Sequence, residues 1–377
     1  MSDTINDTDK AYIAGIGMIT SVGADTDMTA IGIAAEYSGY RISDYHTQEG
    51  QPVTMSNVPA ELFSWVEADI NPGNRYREQY DHIIKMAIVA LREALSQQPL
   101  LQQSLAQQSP IPLVLALPEP RPGVKHIDPN MFIANLAAQD DLPLSRERVH
   151  RLYTGRAAGI QGLGIALRYL YEAGEDYVLL GGSDSYLHYP RLHDLSARQR
   201  LLAPGVVDGF APGEGAGFLL LTRHPHHALN QNDQIIALHP PGISEEPGHL
   251  HDNSDQPYRG DGLDQAFKGA LAGALADNHG NNIHTVYSSM NGEHYWAKEC
   301  SVAILRNQAH LQEKITIAHP ADCYGDLGAA TGSVLMGLAA YHLLKEHPGP
   351  TRHLVYGAAD GPLRAAVRVE KIPQNMS

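Results

Sequence analysis

The stretch VHRLYTGRAAGIQGLGIALRYL, Val149–Leu170, couples a Thr-Gly turn to a helix made almost wholly of Gly, Ala and aliphatic residues. Glycine costs about 1 kcal/mol relative to alanine inside a helix, so repeated glycines need a packing reason. A second stretch, GDLGAATGSVLMGLAA from Gly325, has the same character. Two such helices predict a central buried pair in close backbone contact, related by an internal pseudo-twofold. A turn opening a helix also faces the positive end of the helix dipole, where a thiolate or bound anion is stabilised. At that place stand Leu152 and Tyr153, and neither carries a thiol or an aliphatic hydroxyl.

Outward from this stretch, the chain reads as one grammar written twice. AYIAGIGMITSVG (Ala11–Gly23) is an apolar strand leading into a helix that runs to about Tyr37. YREQYDHIIKMAIVALREALSQ places Ile83, Ile84, Ala87, Ile88, Leu91 and Leu95 on one helical face, and IPLVLALP is a continuously apolar strand. The Gln-rich run LSQQPLLQQSLAQQSP reads as a solvated helix end and loop. Later, QIIALHP, HTVYSSM, HLVYGAA and AAVRVE read as strands, with helices over GLDQAFKGALAGALADN and from about Gly325. This alternation predicts parallel sheets covered on both faces. The polar segment Thr222–Asp233 divides the chain into halves, 1–225 and 226–377. Its His224, His226 and His227 lack partners at metal-ligand spacing, so the segment reads as a solvated linker and no metal is expected.

With 377 residues, 43% of them hydrophobic, the chain can bury a large core. A formal charge of -15 argues against nucleic-acid and anionic-membrane surfaces. Cys300 and Cys323 make neither a disulfide framework nor a CxxC motif, which fits a reducing cytoplasm. MSDTINDTDK lacks the features of a signal peptide, and no apolar run of about 18 residues follows, so a soluble cytoplasmic protein is expected.

Four motifs carry a resemblance: GIGMITSVG, the YREQYDHIIKMA helix, GGSDS (Gly181–Ser185) after a strand, and GFAPGEGAG (Gly209–Gly217) leading into an apolar strand. With them the chain resembles the β-ketoacyl synthases of the thiolase superfamily from Ala11 to Val369. The resemblance implies an α/β, thiolase-like five-layered αβαβα fold of two pseudo-equivalent halves, usually dimeric. In that family a cysteine at the mouth of the first buried helix takes an acyl group from a carrier-protein or coenzyme A thioester, and two histidines assist decarboxylation. The motif match puts Leu152 of LYTG at the cysteine. Asn291, with Gly292 and Glu293, stands where the first histidine motif would open. Asp326, or Gly325 with the gap moved, stands at the second histidine of YGDLGAATG. The family's lysine falls near Pro320 or Ala321, and Ala358 of YGAADGP takes the place of a gating Phe. Glu214 in GEGAG is by resemblance structural.

Two readings of the replacements stand side by side. In one, Glu293 and Asp326 act as acid or base and Cys323 is a relocated nucleophile with His319 or His294 as its base. In the other, Asn291 and Glu293 form a hydrogen-bonded plug and Cys323 is a small buried hydrophobe. Arg146, Arg148, Arg151 and Arg156 approach the turn where the family admits a phosphopantetheine arm. Arg151, Thr154, Gly155, Arg156 and Ala358 are therefore the expected ligand contacts, against the alternative of a basic surface turn balancing Glu147.

Three functions follow. The first is a noncatalytic subunit pairing with an active synthase, as chain-length factors do. The second is an adaptor on a dimeric platform, resembling thiolase-like proteins encoded beside bacterial type VI secretion effectors. The third is an active acyltransferase of the 3-oxoacyl-carrier-protein synthase type using substituted residues. Expected partners are a second copy or an active ketoacyl synthase, with an acyl carrier protein or a secretion effector or chaperone, and no cofactor, nucleic acid or membrane.

Overall fold

The computed structural model describes residues 9–68, 77–98, 110–121, 124, 128–250, 258–272, 282–346 and 348–374. Most of the Gln-rich run, and the end of the helix expected over GLDQAFKGALAGALADN, lie outside them.

The apolar runs become strands. In the first half β1 (Ala11–Thr20), β4 (Leu113–Ala116), β5 (Val149–Leu152), β6 (Tyr177–Ser185) and β7 (Glu214–Thr222) lie in the order β5-β4-β6-β7-β1. In the second, β8 (Gln234–Leu238), β10 (Ile283–Tyr287), β11 (Leu311–Ala318), β12 (Arg352–Ala358) and β13 (Leu363–Pro373) lie in the order β11-β10-β12-β13-β8. The pairing senses repeat as well. β4 is parallel to β5 and β6, and β7 is antiparallel to β6 and β1; β10 is parallel to β11 and β12, and β13 is antiparallel to β12 and β8. The halves join where β1 meets β8 at Ala11↔Leu238 and Tyr12↔Ala237. A β2–β3 hairpin (Arg41–His46, Pro52–Met55) and β9 (Gly242–Glu245), on β13, complete the strands among the described residues.

The sheets are thus mixed, a correction to the expected parallel arrangement. Ala359–Pro362 is too short for the crossover that a parallel partner needs, so β13 folds straight back on β12.

The helices supply alternate layers. α1 is Thr26–Ala34; α2 (Arg77–Ser96) and α3 (Pro129–Ala137) cover the outer face of the first half, where Ile83, Ile84, Ala87, Ile88, Leu91 and Leu95 are buried with Phe132 and Phe218. α4 (Ala158–Tyr171) is followed by α5 (Tyr189–Ala197), and α6 (Asp261–Leu271) and α7 (His294–Arg306) cover the second half. After the short α8 (Ala321–Tyr324), α9 (Thr331–Lys345) packs with α4 between the halves. The helix expected from Gly325 therefore begins later. Gly325 and Gly328, at φ 76° and 53°, interrupt the run, and a 3-10 turn over Gly328–Ala330 precedes α9.

The expected central contact is present. A β-carbon on Gly159 of α4 would lie 2.7 Å from the backbone nitrogen of Ser333, and one on Gly332 would lie 3.2 Å from the Gly159 Cα. Both partners are backbone, so neither can yield by a rotamer change. Gly159→Ala is expected to destabilise the fold by about 1–3 kcal/mol, read as a lower urea midpoint.

Buried histidines add an acid-sensitive element. Burial pushes His239 down to about 4 and His353 down to about 3, from an ordinary 6.5, so both are neutral when folded. Unfolded, they take up protons below about 6.5, and the stability present above that pH is lost as it falls. Glu370 acts in the same direction: burial would raise it, but His239 and Arg352 hold it at about 2. Its contribution is lost below the unfolded value of about 4.5. The urea midpoint is expected to fall steadily between about pH 7 and about pH 4.

Candidate functional site

Gly155 builds the turn that opens α4. Its φ is 52°, and a β-carbon there would sit 2.6 Å from Glu119 Oε2. The following 3-10 turn, Gly155–Ala157, carries Arg156 inward, where it is 3% exposed. Its Nε donates to the Ala358 carbonyl at 3.0 Å, Nη1 to Asp326 Oδ2 at 2.7 Å, and Nη2 to Asp360 Oδ1 at 2.8 Å.

The opposite wall comes from the loop before α7. Asn291 Nδ2 donates to Asp326 Oδ2 at 2.9 Å and to Glu293 Oε2 at 3.2 Å, and its Oδ1 accepts the Glu293 N–H at 3.2 Å. Trp296 Nε1 donates to Glu293 Oε2 at 2.9 Å, and the Arg156 guanidinium lies 4.4 Å from the indole centroid. Arg200, after α5, forks onto both Glu293 oxygens at 2.6 and 2.8 Å and reaches Asp360 at 2.7 Å. Arg121 Nη2 donates to Asp360 Oδ2 at 2.6 Å.

Three guanidiniums therefore face three carboxylates in a buried cluster. Isolated, any one of these charges would be strongly unfavourable here, and mutual hydrogen bonding is what permits the set. Burial works against the charge on Arg156, but Asp326 and Asp360 outweigh it and hold the guanidinium well above its ordinary range. Nearby Glu119 is pushed up by burial and by Asp360. Asp326 Oδ1 also accepts the Gly328 N–H at 2.8 Å, and Asp184 Oδ2 accepts that of Ala329 at 2.9 Å, so two carboxylates occupy the turn leading into α9.

Of the residues singled out in the sequence, Asn291, Glu293, Asp326, Arg156 and Ala358 meet here. Ala358 has its N–H donated to Ser289 Oγ at 3.0 Å. Leu152 ends β5 as a half-buried apolar residue against Ala116, Ala158 and Ala329. Thr154 Oγ1 donates to Gln161 Oε1 at 2.6 Å.

Arg148, Arg151 and Arg156 do not converge near the turn, which corrects the expected anion approach. Arg156 faces inward, Arg151 donates to Asn130 Oδ1 at 2.9 Å, and Arg148 pairs with Glu175. Cys323 is buried, and burial with Asp322 and Glu36 alongside pushes its thiol up. Of its expected bases, His319 Nδ1 lies 2.8 Å from Asp322 Oδ2, and His294 Nδ1 lies 3.4 Å from Asp208 Oδ1.

Glu214 is a structural hub. Its Oε1 accepts the Val58 N–H at 3.1 Å, and its Oε2 meets Ser185 Oγ at 2.8 Å and His82 Nδ1 at 2.9 Å. In the linker, His224 meets Asp176 at 2.8 Å and its ring touches those of His226 and His227. Among the described residues no group of three or more His, Cys, Asp or Glu is arranged to hold a metal, and no helix is long and apolar enough to cross a membrane.

No protein-family description and no curated protein matches the chain. Solved structures do. The ishigamide ketosynthase/chain length factor superposes with a TM-score of 0.69 at 19% identity, over 96% of this chain and 99% of that one. The fold is that of a ketosynthase. A type II polyketide ketosynthase with its acyl-carrier protein, AntDE:AntF, bound to the hexaketide, gives 0.73 at 16% identity, covering 96% and 99%. The ketosynthase ApeO in complex with its chain length factor ApeC, from Xenorhabdus doucetiae, gives 0.67 at 16% identity, covering 97% and 99%. Within this ketosynthase fold, sequence reasoning missed Arg121, Arg200 and Asp360, although Asp360 lies inside the YGAADGP loop that it quoted. The signal available was that a buried arginine such as Arg156 must find carboxylates.

Glu293→Leu removes partners from Arg200, Trp296 and Asn291 at once. It is expected to lower stability by about 3–5 kcal/mol in urea unfolding, the cost typical of breaking a buried ion pair from one side.

Proposed function

We propose that this chain is a noncatalytic ketosynthase-fold subunit that pairs with an active ketosynthase, as a chain length factor does. The observation that carries the reading is the buried network. Asn291 and Asp326, at the positions that the resemblance gives to the two histidines, spend their hydrogen bonds on Arg156, Glu293 and Gly328. Leu152, at the cysteine position, has no group that can attack a thioester. Acyltransfer through Cys323 has less support, because burial, with Asp322 and Glu36 alongside, pushes its thiol up, and the thiol form is a poor nucleophile.

The partner's seat is the open edge of the first half. β5 pairs with β4 on one side and with no strand of the described residues on the other. Beside it, a groove of about 550 Å³ runs along α4, lined by Leu152, Gln161, Ile165, Arg168, Glu172 and Ile243. Apolar walls with opposite charges one helical turn apart suit a protein surface of mixed character. Two of the similar structures are named as pairings of a ketosynthase with a chain length factor, which supports the same partner class here. A carrier protein would meet the assembly through the active subunit.

Two measurements test the reading. Incubated with malonyl and acyl thioesters, the chain is expected to show no covalent adduct by intact mass; a stoichiometric adduct on Cys323 would overturn it. Affinity purification from the native host is expected to recover a ketosynthase that retains its cysteine. Gly164→Arg, placed where a β-carbon has only Pro241 Cγ nearby at 3.7 Å, is expected to abolish that recovery without unfolding the chain. Recovery of a secretion effector or chaperone in place of a synthase would favour the adaptor.

A further inference from the structure

Three guanidiniums converge on one carboxylate. Asp360 Oδ1 accepts from Arg156 Nη2 at 2.8 Å and Arg200 Nη2 at 3.3 Å; Oδ2 accepts from Arg121 Nη2 at 2.6 Å and Arg200 Nη1 at 2.7 Å. The acid rides on the loop between β12 and β13 and is 3% exposed. Its arginines come from three separate parts of the chain, so no helix or strand geometry imposes their meeting. Arg156 and Arg200 have further carboxylates in Asp326 and Glu293. Besides Asp360, Arg121 contacts Asp194 at 3.5 Å and lies near Glu119, and among the described residues its Nε is buried without a hydrogen-bond partner. The neighbouring acid, Glu119, is pushed up by burial and by Asp360, against Arg156 and Arg121, and its Oε1 accepts the Gly361 N–H at 3.1 Å. Without Asp360 the three guanidiniums keep two hydrogen-bonded carboxylates, Asp326 and Glu293, and aim N–H donors at the vacated space.

We propose that Arg121, Arg156 and Arg200 form a carboxylate-binding site that Asp360 occupies from within, the Ala359–Gly361 turn acting as an internal competitor to an external carboxylic acid. The ligand class is a small carboxylate or the carboxylate end of a larger acid. Arg200 addresses both Asp360 oxygens from one planar fork, the bidentate geometry of guanidinium–carboxylate pairing, and the group that occupies the site here is itself a carboxylate. The proposal stands on these contacts alone and is independent of the partner reading above.

The test compares wild-type, Asp360→Ala and Asp360→Asn proteins in acetate, phosphate and chloride at equal ionic strength, by thermal unfolding and calorimetry. Asp360→Ala is expected to melt lower than wild-type in chloride and to recover in acetate. Acetate is expected to bind it at least about tenfold more tightly than it binds Asp360→Asn, whose amide fills the same space. If Asp360→Ala does not fold in chloride, recovery of its native circular dichroism on adding acetate is the supporting outcome. Adding Arg121→Leu is expected to remove the acetate response. Acetate acting no better than chloride, phosphate acting as well as acetate, or a response that survives the loss of Arg121 overturns the proposal.

Discussion

The close crossing of α4 and α9 is the constraint on which the rest depends. At Gly159 and Gly332 backbone meets backbone, and no side chain separates the helices. That contact brings the two helix mouths together at the centre of the molecule, one contributing Arg156 and the other Asp326 and Gly328. The loops before α7 and after β12 then close over them. A larger residue at the crossing would move the mouths apart, and the hydrogen bonds of 2.7 and 2.8 Å from Arg156 to Asp326 and Asp360 would not both survive.

The charge cluster is a second-order consequence with its own logic. Replacing a buried ion pair by apolar residues is often neutral or stabilising, so such a network is weak evidence for stability in itself. Its effect is to tie loops to one geometry: Arg200 joins the segment after α5 to Glu293 and Asp360, and Arg156 joins α4 to Ala358 and Asp326. Charge matching, three cations against three carboxylates, makes every member dependent on the others. The cluster occupies the centre where the resemblance would put catalytic chemistry, and that coincidence links the fold to the proposed subunit role.

Much of the architecture was legible in the residues. The α2 face from Ile83 to Leu95 follows from the 3.6-residue period, and the paired small-residue helices follow from the cost of their glycines. The strand senses were not legible, because an apolar run buried on both faces reads alike whether its neighbour is parallel or antiparallel. The start of α9 was placed early because the interruption comes from positive φ at Gly325 and Gly328, in a stretch whose composition continues unbroken. At the site, Asn291, Glu293 and Asp326 were found by motif, since each sits at a marked place in a local pattern. Arg121, Arg200 and Asp360 sit in no such pattern. They are 239 and 160 residues apart in their pairings, and only folding brings them within reach.

The sequence by itself determined the two-half plan, the buried helix pair, and the absence of a thiol from the turn at Leu152–Gly155, because these rest on local periodicity, glycine content and residue identity. The tertiary structure decided which way Arg156 points. From the sequence it belonged with Arg146, Arg148 and Arg151 at the approach to the turn. Folded, the 3-10 turn after Gly155 sends it inward, where burial demands carboxylate partners and long-range packing supplies Asp326 and Asp360. A guanidinium's partners are chosen by what lies within hydrogen-bond distance, and that distance is set in three dimensions.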